Sequence, residues 1–456
     1  MESRLKDQCP VSSAGCQGSH GKPRNWFVPS TFNVRCSMLA PRFAGFNVLL
    51  LSFLAFRAVP IMAGPPSLSW TTHGNRAADS IPAGNGDIGI NVWTEEDGDL
   101  LLYVGKTDAF DESARLLKLG RMRIHFSNNP FAKGKPFLQE LSLEKGEIRI
   151  KAADTVVEIR VDANNPVIEI VTTATAPFEQ TAAFEMWRTE KRPLSGQFET
   201  HAADGMSAGE PPIQYPDTVT TGVNQIVWYH ANATSVYPVT LSLQELDPAK
   251  CGPDPLLHRV FGCEVAGAGF VSDGPTLLKT AKPATLTRIV VSPLTLNPST
   301  PQEWTRAMAR QLARAQNLPV EKTLDAHYRW WRDFWQRSWV RVSDGNTNET
   351  AAITLGWHVN RYIAACTARG NAPIKFNGAI FNVDGIDQHA QPNPGVTADA
   401  RAWGPGFWFQ NQRHIYWPMM AAGDYEQFLP FFKMYTDALP LAKRRTRTYY
   451  GHDGAF

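Results

Sequence analysis

A single change in the period of its hydrophobic pattern constrains this 456-residue sequence more than any other feature. Between residue 65 and about residue 300, short runs alternate apolar and polar side chains, and Gly, Asn, Asp and Pro separate the runs. Alternation with a period of two is typical of strands with one buried face. Since no helical pattern interrupts the runs, they predict a large antiparallel sandwich. Strands are predicted at 99–104, 121–126, 147–151, 155–161, 167–172, 239–243 and 286–292.

The period becomes 3.6 at Pro301, and helices are predicted from there to the last residue. In 301–317, Trp304, Met308 and Leu312 recur at helical spacing. A second run, 321–340, places Tyr328, Trp331, Phe334, Trp335 and Trp339 on one broad face. Further helices are predicted at 351–369, 414–422, 425–443 and 444–449. The sequence therefore predicts an α+β chain with a sandwich at 65–300, a helical linker at 301–345 and a helical domain at 346–456.

An apolar stretch near the amino terminus has the pattern of an export signal. Residues 44–56 are apolar, but the run ends at Arg57 and is shorter than the roughly 20 residues of a spanning helix. Met38 would give this signal a normal short start, so we expect 1–37 to be a disordered or mis-assigned extension and 38–64 a signal peptide. The mature protein is then periplasmic or extracellular, with no stable membrane span. The alternative to a signal peptide is that 44–56 form a buried strand or helix of the mature protein.

Charge and cysteine usage narrow the classes of partner. The 45 Lys and Arg balance 43 Asp and Glu without a basic block, so nucleic acid is not an expected partner. Cys251, Cys263 and Cys366 follow the predicted signal, and no C-x-x-C or His-rich spacing accompanies them. We expect no structural zinc, no other metal and no cofactor. A pairing of Cys251 with Cys263 stays open.

Two polar motifs in the sandwich region admit more than one interpretation. Residues 81–90, IPAGNGDIGI, supply the Gly and Asn of a tight turn between strands, and they resemble a phosphate loop only superficially because no helix follows. Lys106, Asp108 and Asp111 follow a strand. They are expected either to face a neighbouring domain or to be solvated turn charges.

The stretch 403–418, WGPGFWFQNQRHIYWP, is the most informative for function. It places amide and guanidinium groups between aromatic rings. Amides and guanidinium groups bind sugar hydroxyls, while indole rings cover apolar sugar faces. The predicted substrate-binding residues are Trp403, Trp408, Gln410, Arg413 and Trp417. Asn411 is predicted to position substrate or water, with capping of the following helix as the alternative; Arg413 could instead form a structural ion pair.

A second candidate segment lies near the last residue of the sequence. His452 and Asp453 stand between two glycines, Gly451 and Gly454. Such a loop allows close approach of the backbone to a ligand, and it is also typical of a tight turn between helices. Both residues are predicted to contribute to substrate binding.

In the order of its motifs the sequence resembles the six-hairpin glycosidases, in particular glycoside hydrolase family 95 and an adjacent bacterial family of unknown function, number 5703. The segments that carry the resemblance are 81–89, 327–339, 361–365 and 407–418. The resemblance implies an N-terminal β-supersandwich, linker helices and the first part of an (α/α)6 barrel. It also implies an inverting hydrolase of poly- or oligosaccharides, in which an acid and the basic group that holds the attacking water lie about 6.5–9.5 Å apart on opposite sides of the bond.

The catalytic residues match that family only in part. Its water-activating region is similar to an Asn-x-Asn before Tyr-Trp-Pro; Asn411 matches the second Asn, whereas Phe409 occupies the first position, so α-fucosidase activity is not expected. The general acid is expected in a Phe-Pro-Glu run beyond Phe456. The resemblance therefore implies a C-terminally truncated, inactive chain. A noncatalytic carbohydrate-binding protein is the alternative, and a disaccharide phosphorylase would require a phosphate site that the sequence does not identify.

Overall fold

Two large antiparallel sheets form the first half of the chain in the computed structural model, which describes residues 64–206, 211–342, 348–385 and 398–456. The predicted extension and almost all of the predicted signal lie outside these residues. The strands are β1 (Ser67–Trp70), β2 (Ile81–Gly84), β3 (Ile88–Thr94), β4 (Leu100–Phe110), β5 (Leu116–Phe126), β6 (Leu138–Ser142), β7 (Glu147–Ala152), β8 (Thr155–Val161), β9 (Ile168–Phe178), β10 (Gln180–Glu185), β11 (Arg192–Pro193), β12 (Ile213–Gln214), β13 (Thr218–Thr221), β14 (Gln225–Ala231), β15 (Val260–Gly267), β16 (Phe270–Ser272), β17 (Leu277–Thr280) and β18 (Ala284–Leu296).

The first sheet has the strand order β1-β6-β7-β8-β9-β18-β15-β14-β13, and the second has the order β16-β17-β10-β5-β4-β3-β2. A short ladder joins β11 to β12. Aliphatic side chains from both large sheets share one core, to which the first sheet contributes Ile148, Ile150, Val157 and Ile159 and the second contributes Ile90, Leu102, Met122 and Ile124. The shared core explains the alternation of period two, because each strand turns one set of side chains inward.

One predicted strand is wrong. Residues 239–243 belong to helix α2 (Tyr237–Leu243). Pro238 stands in its first turn, where a missing N–H costs nothing, and the hydroxyls of Thr240 and Ser242 donate to carbonyl oxygens four residues earlier. Leu241 is the buried residue of the helix and packs against Leu246 and Cys251. The V-T-L-S-L pattern satisfies both periods over five residues, so alternation alone could not separate strand from helix.

The remaining helices are α1 (Gly196–His201), α3 (Pro301–Asn317), α4 (Val320–Arg337), α5 (Asn348–Thr367), α6 (Phe409–Ala422) and α7 (Leu429–Tyr450). The helix predicted at 301–317 is confirmed with the same bounds. Thr300 and Glu303 form a capping box at its start, and Trp304 donates its indole N–H to the carbonyl oxygen of Leu294 at 3.1 Å. The α+β class is therefore confirmed.

Aromatic residues and one ion pair hold α4 and α5 in place. Trp331 and Phe334 of α4 are buried in the core that the two sheets share. Trp339, predicted on the same face, lies beyond the last residue of α4 and is exposed. Arg361 of α5 donates two hydrogen bonds of 2.8 Å to Asp424, which precedes α7. This buried pair joins α5 to the segment before α7, and Arg361 also donates to the carbonyl oxygen of Phe334 in α4 at 2.9 Å.

The glycine-rich motif forms the predicted hairpin between β2 and β3. Asn85 accepts hydrogen bonds from the backbone N–H groups of Asp87 and Ile88, and its own amide donates to the carbonyl oxygen of Asp162. Gly86 has a φ of +101° and donates its N–H to the carbonyl oxygen of Cys366 at 3.0 Å. The turn therefore closes the hairpin and also contacts the carboxyl end of α5.

Two findings concern the thiols and the membrane. Cys251, Cys263 and Cys366 are buried and free, so the pairing that the sequence left open is not formed. In the described ranges, no helix combines the length and the apolar character needed to cross a bilayer.

Replacing Gly86 tests the contact between the hairpin and α5. A Cβ at this position would stand 2.4 Å from the Cβ of Arg369, and the positive φ strains any other residue. We expect Gly86→Ala to lower the free energy of unfolding by about 3 kcal/mol in urea titrations, from strain and overpacking together. Gly134 is the control, because it has a φ of +93° with open space around it. Gly134→Ala should cost only about 1 kcal/mol, and equal losses would contradict the proposed contact.

Candidate functional site

Residues 368–385 and 398–408 pack on the second sheet through polar contacts. Lys118 of β5 donates its amine to the Asn91 side chain at 3.1 Å and to the carbonyl oxygen of Ile380. Asn91 in turn donates to the carbonyl oxygen of Phe381 at 3.1 Å. A Cβ on Gly105 would stand 2.9 Å from the Ile380 carbonyl oxygen. The missing side chain allows the backbone at Ile380 to approach the sheet closely.

Asp399 is the centre of the buried polar network at this contact with the sheet. It accepts hydrogen bonds from the backbone N–H of Lys118 at 2.9 Å, the Trp187 indole at 2.7 Å and the Arg188 guanidinium at 2.8 Å. Burial is the largest effect and opposes the charge of Asp399. The attraction of Arg188 and Arg115, together with the hydrogen bonds from Trp187 and Lys118, outweighs it and lowers the pKa of Asp399 below its ordinary value. The carboxylate therefore stays ionised and fixes its part of the chain to both β5 and the residues after β10.

The charged residues of the motif that contains Lys106 are buried. Lys106 is buried and forms ion pairs of 2.7 Å with Asp87 and 2.8 Å with Asp108. Asp108 also accepts a hydrogen bond of 2.8 Å from Asn371, which follows α5. Asp111 is buried against Arg115. These charges face neighbouring structure, and the interpretation as solvated turn charges is wrong.

His230 of β14 lies between two buried carboxylates. Its ring nitrogens contact Asp217 at 2.9 Å and Glu112 at 3.0 Å. Burial opposes the imidazolium charge, but the hydrogen bonds to both carboxylates outweigh it and raise the pKa of His230 to about 9. His230 is therefore charged at neutral pH and offsets the repulsion between the two acids.

This histidine predicts a pH dependence of stability. Because the folded pKa is above the unfolded value near 6.5, its contribution is complete below pH 6.5 and is lost as the pH rises to about 9. The shift corresponds to roughly 3 kcal/mol. We expect the difference in free energy of unfolding between the wild type and His230→Gln to shrink by that amount from pH 6 to pH 9.5, in urea titrations. A difference that is constant with pH would contradict a charged His230.

Lys375 lies beneath the aromatic segment, which comprises residues 403–417. Its amine donates to the carbonyl oxygen of Gly406 and lies 4.2 Å from the ring centre of Phe407. Burial and the repulsion of Arg401 lower the pKa of Lys375 to about 6. A neutral buried amine beside exposed aromatic rings is typical of functional sites. Lys375 was not among the predicted site residues, although it is the one charged residue within the apolar run 372–376.

The predicted tryptophans of the aromatic segment face solvent. Trp403, Trp408 and Trp417 are each exposed over more than half of their surface. Trp408 stacks on Phe376, with ring centres 5.6 Å apart and planes inclined by 25°. Other tryptophans of the chain are almost completely buried: Trp93, Trp228, Trp304 and Trp331. The aromatic segment therefore differs from the core in the environment of its indoles as well as in its composition.

Helix α6 groups several of the predicted polar residues. Gln410, Arg413, His414 and Trp417 have the spacing i, i+3, i+4 and i+7, which places them along one side of a helix. The Arg413 guanidinium lies 5.4 Å from the Trp417 ring centre. In the described part of the chain, Arg413 forms no ion pair with a carboxylate. Its contact is with the Trp417 indole, so the structure does not support the alternative of a structural ion pair.

Asn411 does not cap the helix. Trp408 occupies the N-cap position of α6, and Asn411 stands inside the first turn with its side chain exposed. Its backbone N–H donates to the carbonyl oxygen of Trp408 at 3.1 Å. The capping alternative is therefore removed, while the role in positioning substrate or water stays a prediction.

His452 and Asp453 lie apart from these residues. Asp453 forms an exposed ion pair of 3.2 Å with Arg447, and His452 stacks on Tyr450. Within 398–456, no hydrogen bond or ring contact joins either residue to the aromatic segment. The structure brings together Gln410, Arg413 and Trp417, but it does not place His452 and Asp453 with them.

The described residues hold no group of three or more His, Cys, Asp or Glu side chains arranged to bind a metal ion. The aromatic segment offers indole faces, amides and a guanidinium group, and the buried Lys375 amine lies beside them.

Comparison with known proteins identifies a family. The chain belongs to the family described as Domain of unknown function (DUF5703), whose N-terminal domain matches residues 69–340. The predicted resemblance to this family is confirmed. A solved structure named "Putative kojibiose phosphorylase from human microbiome" is similar at 10% sequence identity and a TM-score of 0.40, covering 70% of this chain and 44% of that one. The chain thus spans less than half of that protein's length. No curated protein matches the chain.

Proposed function

We propose that this chain is a carbohydrate-active protein that binds poly- or oligosaccharides at the aromatic segment. The observation that carries the proposal is the exposure of three indoles, Trp403, Trp408 and Trp417, next to the exposed amide of Gln410. Apolar sugar faces stack on indoles, and amides supply paired donors and acceptors for sugar hydroxyls. Large aromatic residues that serve only a core would be buried.

The backbone of the segment supports a binding role. Trp403 has a φ of +56°, a conformation that costs a bulky residue on the order of 1–3 kcal/mol and that concentrates at ligand sites. Trp408 is held by its stacking on Phe376. A ring that is already fixed loses little conformational freedom when a ligand binds. The Trp408 indole is thus oriented before the sugar arrives.

At a finer level, we propose an inverting glycoside hydrolase of the six-hairpin type, related to family 95 and exported from the cell. In this proposal α5, α6 and α7 are the first helices of an (α/α)6 barrel, and Asn411 positions the attacking water. Exposed apolar residues on α6 and α7, such as Met420, Leu429 and Phe432, support a surface on which further helices pack. The general acid is assigned to no described residue.

A second candidate function is carbohydrate binding without catalysis. Across the described residues, no Asp or Glu side chain forms a hydrogen bond or ion pair with a side chain of the aromatic segment. Hydrolysis with inversion needs two groups on opposite sides of the glycosidic bond, and one of them is an acid. The exposed indoles and amide groups of the aromatic segment meet the requirements of this candidate without such an acid.

Replacing Trp408 tests the binding surface. We expect Trp408→Ala to weaken binding to a soluble plant or algal polysaccharide by at least about tenfold, because a stacked aromatic ring contributes on the order of 1.4 kcal/mol or more. Affinity electrophoresis across a panel of such polysaccharides measures the loss. Trp339→Ala is the matched control, since Trp339 is 53% exposed and Trp408 is 51% exposed. Equal binding by the two variants on every polysaccharide would contradict the proposed surface.

Replacing Asn411 separates catalysis from binding. If the chain is a hydrolase, Asn411→Ala should lower the release of reducing sugar by about 100-fold, the effect of losing one group that positions a reactant, while binding changes by less than about threefold. A colorimetric assay for reducing ends measures sugar release, affinity electrophoresis measures binding, and NMR of the first product anomer shows whether the configuration is inverted. Polysaccharide binding without sugar release by the wild type would overturn the hydrolase proposal and support the noncatalytic candidate.

A further inference from the structure

A small polar cavity lies beside Asp399, on the side of the second sheet that residues 368–385 and 398–408 cover. Its volume is about 40 Å³. The side chains around it come from five separate parts of the chain: Arg115, Trp187, Arg192, Glu199, Gln214 and Asp399. At roughly 10–15 Å³ for each water, the cavity has room for about three waters or for one small ligand group.

Two side-chain donors at this cavity have no acceptor. Arg115 is 2% exposed and Gln214 is 3% exposed. Among the described residues, Arg115 Nη2 and Gln214 Nε2 have no hydrogen-bond partner. Buried donors in proteins are almost always satisfied, so two unsatisfied donors at one cavity indicate that its occupant accepts hydrogen bonds.

The carboxylates of the cavity are already engaged. Glu199 accepts hydrogen bonds from both terminal nitrogens of Arg192, at 2.6 and 2.8 Å, and from the backbone N–H of Ser195 at 2.9 Å. Asp399 already accepts three hydrogen bonds. Both terminal nitrogens of Arg192 are therefore engaged. Arg115 forms its ion pair with Asp111 through Nε, at 2.7 Å, and its Nη2 is left without a partner within the described ranges.

We infer that this cavity binds one small oxyanion, a carboxylate or phosphate group, through the Arg115 guanidinium and the Gln214 amide. An oxyanion needs donors only, and the unsatisfied groups are both donors. A guanidinium and an anionic oxygen form the stronger, charge-assisted type of hydrogen bond. A water or a neutral hydroxyl would also have to donate a proton, and Glu199 and Asp399 each accept three hydrogen bonds already.

The position of the cavity allows two sources for this group. Glu199, which lines the cavity, belongs to α1. The end of α1 lies against Gly404, since a Cβ on Gly404 would stand 2.7 Å from the carbonyl oxygens of His201 and Ala202. The cavity thus adjoins the aromatic segment. The oxyanion is either free inorganic phosphate or the carboxylate of an acidic sugar. The inference does not depend on the proposed function, because phosphate binding requires no glycan.

Thermal unfolding of the full chain tests the inference with four probes at constant ionic strength: phosphate, glucuronate, glucose and chloride. Near saturation, phosphate or glucuronate should raise Tm by at least about 2 °C, whereas glucose and chloride should not. Gln214→Glu replaces the donor with a carboxylate of the same shape and should weaken binding by more than tenfold. Gln139→Glu changes another buried glutamine away from the cavity and should keep the Tm shift.

The outcomes separate the two sources. A shift with phosphate alone assigns the site to a free inorganic anion, and a shift with glucuronate but not glucose assigns it to an acidic sugar. If neither anion shifts Tm, or if Gln214→Glu responds as the wild type does, the cavity holds only water and the inference is overturned. Should Gln214→Glu fail to fold, as judged by circular dichroism, Gln214→Leu removes the donor without adding charge and carries the same expectation.

Discussion

The buried contacts of Asp399 are the interaction on which the rest of this structure depends. One carboxylate joins the backbone of β5, the indole of Trp187 and the guanidinium of Arg188. Removing one partner of a buried ion pair typically costs 3–5 kcal/mol, because the remaining charge is left uncompensated. The residues that lead into the aromatic segment and α6 are therefore fixed to the sandwich by electrostatics. The exposed indoles therefore follow a segment that is anchored to the second sheet.

Sequence periodicity predicted the two large sheets and the long helices, because their side chains obey a single burial pattern over many residues. Helix α3 is the clearest example, since Trp304 and Met308 recur on its buried face and a capping box marks its start. Periodicity failed at 239–243, where five residues fit both periods. There, a proline in the first turn and hydrogen bonds from two hydroxyl groups stabilise a helix. Local backbone chemistry outweighed alternation there.

The candidate site could be predicted in composition but not in arrangement. Composition identified Trp408 and Gln410, yet only the fold shows that their side chains are exposed while Trp331 is buried. His452 was predicted with them on the strength of flanking glycines, a signal that carries no information about distance. The oxyanion cavity lay beyond sequence reasoning, because Arg115, Gln214 and Asp399 are far apart in the chain. Their arrangement around one cavity is visible only in three dimensions.

The central claim is that the aromatic segment binds sugar, and hydroxyl-radical footprinting of the full chain tests it most directly. Radicals oxidise exposed indoles, and a bound glycan shields those it covers. When a polysaccharide is bound, we expect the oxidation of Trp403, Trp408 and Trp417 to fall severalfold, while the oxidation of Trp339 stays unchanged. Unchanged oxidation of all four tryptophans on a polysaccharide that the chain demonstrably binds would contradict it and would move the sugar site elsewhere.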